Sequence, residues 1–118
     1  MNNFDVEYYE TKEGKLPVED FILAQNIKMQ AKIFRTLELL EIKGNDLREP
    51  YSKHLEDGIF EIRVKVGTNI TRILYFFVIG QKVILTNGFV KKVQKIPKKE
   101  IDLAKKYRSD YLARNKED

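Results

Sequence analysis

No cysteine occurs in the chain, so neither a disulfide framework nor a thiolate metal site can form, and a reducing compartment is the natural setting. The one histidine, His54, has no H-E-x-x-H around it, which leaves a transition metal without ligands; it reads as a surface or half-buried strand residue. No apolar run approaches the ~18 residues of a membrane helix, and no basic segment followed by an apolar one marks a leader, so a soluble cytoplasmic protein is expected. Glycine patterns that cradle phosphates are missing as well. Neither G-x-x-x-x-G-K-[ST] nor G-x-G-x-x-G is present, and no G-x-S-x-G accompanies the two serines, Ser52 and Ser109. No cofactor is expected.

What is present is enough for one domain. At 118 residues the chain can bury roughly 60–70% of its unfolded surface without staples, and no internal repeat or second composition divides residues 1–118. The net charge of +4 is unevenly spread: residues 1–20 carry two lysines against six acids, whereas residues 88–108 carry eight basic residues against two acidic ones. A localised basic segment points to a polyanion, nucleic acid being the commonest, while a plain solvated face is the alternative.

The organising stretch is Asp57 to Pro97, which reads as three antiparallel strands in a meander ending in lysines. Ile59 to Val66 alternates, with Phe60, Ile62, Val64 and Val66 on one face and Glu61, Arg63 and Lys65 on the other, the period of a half-buried strand. Asn69 to Ile79 is apolar on both parities except for Arg72, as in a central strand covered on both sides. Val83 to Val90 runs into Lys91, Lys92 and Lys95. Asp57-Gly58, Gly67-Thr68 and Gly80-Gln81 supply hairpin turns.

Around this core, Phe4 to Tyr9 suggests an edge strand, and Pro17 with Glu19 and Asp20 opens a short helix over Val18 to Ala24. A longer helix follows Asn26 and stops at Lys43-Gly44. Its inward stripe is expected at Ile27, Ala31, Phe34, Leu37 and Leu40 or Glu41, widened by Ile33 and packed on the Phe60/Ile62/Val64 face. Asn45 to Pro50 is a loop and Tyr51 to Glu56 a short strand. Pro97 begins a last helix, about Lys98 to Ala113, with Ile101, Ala104, Tyr107 or Arg108 and Tyr111 inward and Lys98, Lys99, Lys105 and Lys106 mostly outward. The predicted class is α+β: a small antiparallel sheet against N-terminal helices, with a C-terminal helix.

With metals, thiols and cofactor loops excluded, the remaining chemistry-bearing set is cationic: Arg63, Lys65, Arg72, Lys91, Lys92 and Lys95, with Tyr75, Asn87 and Gln94 near them and Lys98 and Lys99 beyond. That set suits phosphate.

The runs F-E-I-R-V (60–64), T-R-I-L-Y-F-F (71–77) and T-N-G-F-V-K-K-V-Q-K-I-P (86–97), followed by E-I-x-x-A (100–104), resemble the HigB/RelE superfamily of bacterial toxins in its phage-related HigB branch. The resemblance extends from L-P-V-E-D-F (16–21) to the final helix. It implies a RelE-like fold and the toxin of a type II toxin–antitoxin pair that cuts messenger RNA in the decoding site of the 70S ribosome. It also implies silencing by a helix-turn-helix, HigA-like antitoxin that covers or distorts the basic face and carries the complex to operator DNA. The family's strand arginine falls on Arg72, and its basic pair after the last strand on Lys91 and Lys92. Some relatives use a C-terminal histidine or tyrosine; this chain has no histidine there, and Tyr107 and Tyr111 match by position alone.

Metal-free RNA cleavage needs the 2′-hydroxyl deprotonated, the leaving 5′-oxygen protonated and the phosphorane dianion stabilised. A guanidinium fits the third task, so Arg72 is expected to be catalytic, with Lys91, Lys92 and Lys95 as candidate proton donors or acceptors. Arg63, Lys65, Asn87, Gln94, Lys98 and Lys99 are expected to bind substrate. The alternative for Arg72 is an ion pair with Glu61 on the neighbouring strand. Two other functions compete: a ParE-like gyrase inhibitor of the same fold, and a non-catalytic nucleic-acid-binding module. Exposed aromatics between the cations would favour the latter, but Tyr75, Phe76, Phe77 and Phe89 lie in apolar runs expected to fill the core.

Overall fold

Tight turns fold residues 52–90 into a continuous meander. At the first, Asp57 (φ 53°) and Gly58 (φ 76°) both occupy the left-handed region, which a two-residue hairpin of the primed type requires and which suits the right-handed twist of the flanking strands. The computed structural model describes residues 3–92 and 95–115. In chain order the elements are β1 (Asp5–Tyr8), α1 (Pro17–Leu23), α2 (Ile27–Lys43), β2 (Ser52–Glu56), β3 (Ile59–Val66), β4 (Asn69–Val78), β5 (Lys82–Val90) and α3 (Lys98–Arg114). The sheet order is β1-β5-β4-β3-β2. Pairing is antiparallel within the meander, but β1 joins β5 in parallel, from Asp5 opposite Lys82 to Tyr8 opposite Leu85, so the α+β fold carries a mixed sheet.

Helices cover both faces. On one, α1 and α2 pack Val18, Ile22, Met29, Ile33, Leu37 and Leu40 against Ile62, Val64, Ile73, Tyr75, Val83 and Leu85. Each fully buried aliphatic side chain there contributes about 1.5–3 kcal/mol. Gly88 of β5 lets α1 approach closely, since a Cβ at that position would lie 2.5 Å from the Phe21 ring. On the other face Tyr9, Ile59, Leu74, Phe76, Ile84 and Ala104 form a second core, flanked by Tyr107 and Tyr111 of α3. The central strand β4 is therefore covered on both sides, as its doubly apolar pattern requires.

The inward stripe of α2 differs from expectation. Met29, Ile33, Thr36, Leu37 and Leu40 are buried, whereas Ile27 (77% exposed) and Phe34 (43%) face outward with Ala31. The Asn26 side chain accepts a hydrogen bond from the Met29 N–H at 2.9 Å and caps the helix start. At 3.6 residues per turn the two stripes lie side by side, and the sheet takes the one containing Met29 and Ile33.

Two buried tyrosines are tied to polar partners. The Tyr75 and Ser52 hydroxyls lie 2.5 Å apart, and burial pushes Tyr75 up to about 12 despite that bond. Tyr9 donates to Asp110 at 2.5 Å, and burial together with that carboxylate pushes its hydroxyl up to about 12. Arg114, 2.7 Å from Asp110, holds the carboxyl below its usual range, and the Tyr9 hydrogen bond adds to this. Among the described residues no helix is long and apolar enough to cross a membrane.

Candidate functional site

The strand register places charge in the α3-side layer. Arg63 of β3 and Arg72 of β4 are direct cross-strand partners, an arrangement that repels unless a counter-charge intervenes. Glu61, two residues from Arg63 on the same face, supplies it. Its Oε1 accepts from Arg72 Nη1 at 2.5 Å, and its Oε2 lies 3.5 Å from Arg63 Nη2. Glu61 is 1% exposed and Arg72 3% exposed, so this face of β3 carries a buried Glu61–Arg72 pair joined by the half-exposed Arg63, a group of net charge +1. The Nε atoms of Arg72 and Arg63 are buried without a hydrogen-bond partner among the described residues.

Arg72 also lines a cavity of about 410 Å³ between the end of β5, the segment that follows it and the first turn of α3. Phe89 is opposite Arg72 in the register, and the Lys91 N–H donates to Ile70 O at 2.8 Å, extending the ladder one residue beyond the strand. Strand alternation then puts Phe89 and Lys91 on the same face as Arg72. Lys92, Lys95, Ile96, Pro97 and Lys99 complete the rim with Val90. Five cations thus converge on one concavity with apolar walls, and the N-terminal end of α3 adds its positive dipole end. Such a space has the charge and the size for a phosphate with an attached sugar or base.

One carboxylate enters this cationic wall. Glu100, in the first turn of α3, is half-buried and lines the cavity. Asn87 Nδ2 donates to Glu100 Oε1 at 3.0 Å and to its backbone oxygen at 3.2 Å, while the Thr86 hydroxyl donates to Asn87 Oδ1 at 2.7 Å. The Glu100 backbone oxygen can only accept, so it is the Asn87 NH2 end that faces Glu100, and the Thr86 hydroxyl, which also lies 3.1 Å from Leu74 O, meets the other end.

Of the residues expected at the site, Arg72, Lys91, Lys92, Lys95 and Lys99 are brought together around the cavity. Four others are not. Arg63 points its guanidinium at Glu61; Lys65 is exposed on β3 and does not line the cavity; Lys98 is exposed and pairs with Asp102 at 3.3 Å. Asn87, expected to bind substrate, is 3% exposed and spends its amide on Glu100, so it serves the site from behind. Gln94 lies outside the described residues. Lys105, expected to point outward, bridges to Glu56 at 2.5 Å and Asp57 at 3.1 Å, because the β2–β3 turn lies beneath α3. Tyr107 stacks on Tyr9 with centroids 4.4 Å apart, and Tyr111 sits edge-on to Phe76, so neither lines the cavity. Sequence reasoning missed Glu100 and the lining role of Phe89. The one available signal was an acid directly after Lys98-Lys99.

A family model described as Phage derived protein Gp49-like (DUF891) matches residues 20–109, from α1 through most of α3. No curated protein matches the chain.

Proposed function

The chain belongs to the Gp49-like family of phage-derived proteins, a toxin-like family of the RelE/HigB type, and from that premise we propose that it is the toxin of a type II toxin–antitoxin pair in the HigB branch. In this reading it is a metal-independent endoribonuclease that cuts messenger RNA on translating ribosomes. The observation that carries the reading is Arg72: a residue 3% exposed, whose Nε has no hydrogen-bond partner among the described residues, in the wall of a cavity ringed by four lysines. A buried donor without a partner is a standing desolvation cost that an incoming phosphate oxygen would relieve. In the reaction the lysines hold the RNA backbone. Arg72 meets the two negative charges of the phosphorane, and Glu61 holds its guanidinium in place from behind. The partner that restrains the toxin is a helix-turn-helix antitoxin, and an acidic segment laid across the lysine rim is the form its inhibition takes.

The test is induction of the chain alone, followed by transcript mapping and by cleavage assays with purified components. Cuts in translated messages that require 70S ribosomes support the reading. Growth arrest with intact transcripts and poisoned gyrase overturns it in favour of a ParE-like toxin, and binding of RNA without cleavage overturns it in favour of a non-catalytic module.

A further inference from the structure

A carboxylate in a phosphate-binding cavity works against its ligand unless it meets a hydrogen-bond donor there. Among the described residues Glu100 is the one acid that lines this cavity, against five cations. Ammonium and guanidinium groups carry no acceptor, so among these side chains only Glu100 presents strong acceptor oxygens to whatever the cations hold. Its carboxylate is also held in position: the buried Asn87 amide donates to Oε1 at 3.0 Å and to the Glu100 backbone oxygen at 3.2 Å. RNA offers a donor beside every phosphate it presents, the 2′-hydroxyl.

We propose that Glu100 is the general base of the reaction and Asn87 the residue that positions it; the assignment rests on the ribonuclease reading above. The Glu100 carboxylate takes the proton of the 2′-hydroxyl, the 2′-oxygen bonds to phosphorus, and the bond from phosphorus to the 5′-oxygen breaks. The leaving oxygen takes a proton from a lysine ammonium of the cavity, giving a 2′,3′-cyclic phosphate and a 5′-hydroxyl end. The proton on Glu100 returns to that lysine through solvent.

Glu100→Gln keeps the shape and the acceptor for Asn87 but cannot take a proton. Single-turnover cleavage of messenger RNA on 70S ribosomes should fall about 10²–10⁴-fold, the usual contribution of a general base, with KM within about threefold of the parent. Glu100→Asp, which keeps a displaced carboxylate, should retain at least about tenfold more activity than Glu100→Gln. Asn87→Ala should lower kcat with KM unchanged. A Glu100→Gln variant that cleaves like the parent, or whose loss lies wholly in KM, overturns the assignment. So does one that merely melts earlier. Should that variant fail to fold, Glu100→Ala decides: a folded Glu100→Ala with kcat reduced at constant KM supports a base, and parental kcat overturns it. A parent chain that leaves messenger RNA intact overturns the ribonuclease reading and this role with it, whereas a cleaving parent with an unaffected Glu100→Gln variant removes only the role of Glu100.

Discussion

Glu61 is the residue whose removal should be felt most, because it is 1% exposed and stands between two arginines that face each other across β3 and β4. Glu61→Leu leaves Arg63 and Arg72 opposed with no counter-charge. Arg72→Met leaves Glu61 with Arg63, whose side chain is 38% exposed and 3.5 Å away, so part of the compensation survives. Removing one partner of a buried pair costs about 3–5 kcal/mol, and the asymmetry assigns the upper end to Glu61→Leu and the lower end to Arg72→Met. With an unfolding entropy of about 2.1 cal/mol/K per residue, 118 residues give roughly 0.25 kcal/mol/K, so the losses correspond to Tm shifts of about 20 °C and about 12 °C. Had the pair been exposed, about 1 kcal/mol or less would have been at stake.

The double variant Glu61→Leu, Arg72→Met replaces charge by apolar volume at both sites and should recover most of the loss, as buried pairs generally do. It also separates fold from function. Thermal unfolding monitored by circular dichroism reads the first, and growth after induction with ribosome-dependent cleavage reads the second. The folded double variant should cleave about 10²–10³-fold more slowly, the usual loss on removing one preorganised donor. A Glu61→Leu shift below about 4 °C, roughly 1 kcal/mol on the same entropy scale, would mean that Glu61 is not the counter-charge. A well-folded double variant that arrests growth like its parent would remove Arg72 from the chemistry.

The cavity lysines should act on RNA through backbone charge. Lys91→Ala and Lys92→Ala should each weaken RNA binding and reduce the slope of log affinity against log salt by about 0.7, while Lys98→Ala, outside the cavity, leaves the slope nearly unchanged; titrations at several salt concentrations check this. Gly88→Ala should destabilise by about 1–3 kcal/mol through its clash with Phe21, and Phe21→Leu should recover part of it in a denaturant-melt cycle. Tyr9 and Tyr75, both held up to about 12, bind their protons more tightly folded than unfolded. Their contribution to stability is therefore full below about pH 10 and lost as pH rises through about 12, a fall that denaturant melts along that range should show and Tyr75→Phe should reduce.

Local rules made most of the fold legible. Period-2 alternation and glycine turns gave the meander strands to within a residue, and Asn26, Gly44 and Pro97 marked helix ends because caps and φ constraints act over neighbouring residues. Two features were hidden for the opposite reason. The parallel pairing of β1 with β5 joins residues 77 positions apart, Asp5 with Lys82, and nothing in a four-residue strand reports the direction of so distant a neighbour. The phase of the α2 stripe was ambiguous because Ile27, Phe34, Met29 and Ile33 offer two apolar faces, and only the shape of the sheet selects one.

The cations of the site were legible as a cluster, yet their work is divided by acids whose burial the sequence does not encode. Glu61 alternates with apolar residues as any solvent-facing strand residue would, and Glu100 looks like an ordinary first-turn acid favouring the helix dipole. In the folded chain both face cations, but at different distances from solvent. Glu61 is held between two guanidiniums and buried away from any ligand, a fixed anchor for Arg72. Glu100 is held by the neutral amide of Asn87 and borders the open cavity, so its acceptor capacity remains available to a ligand. A carboxylate paired with buried cations orients them, whereas one that borders the cavity can accept from a donor placed there; the first lies in the layer beneath α3 and the second on its first turn.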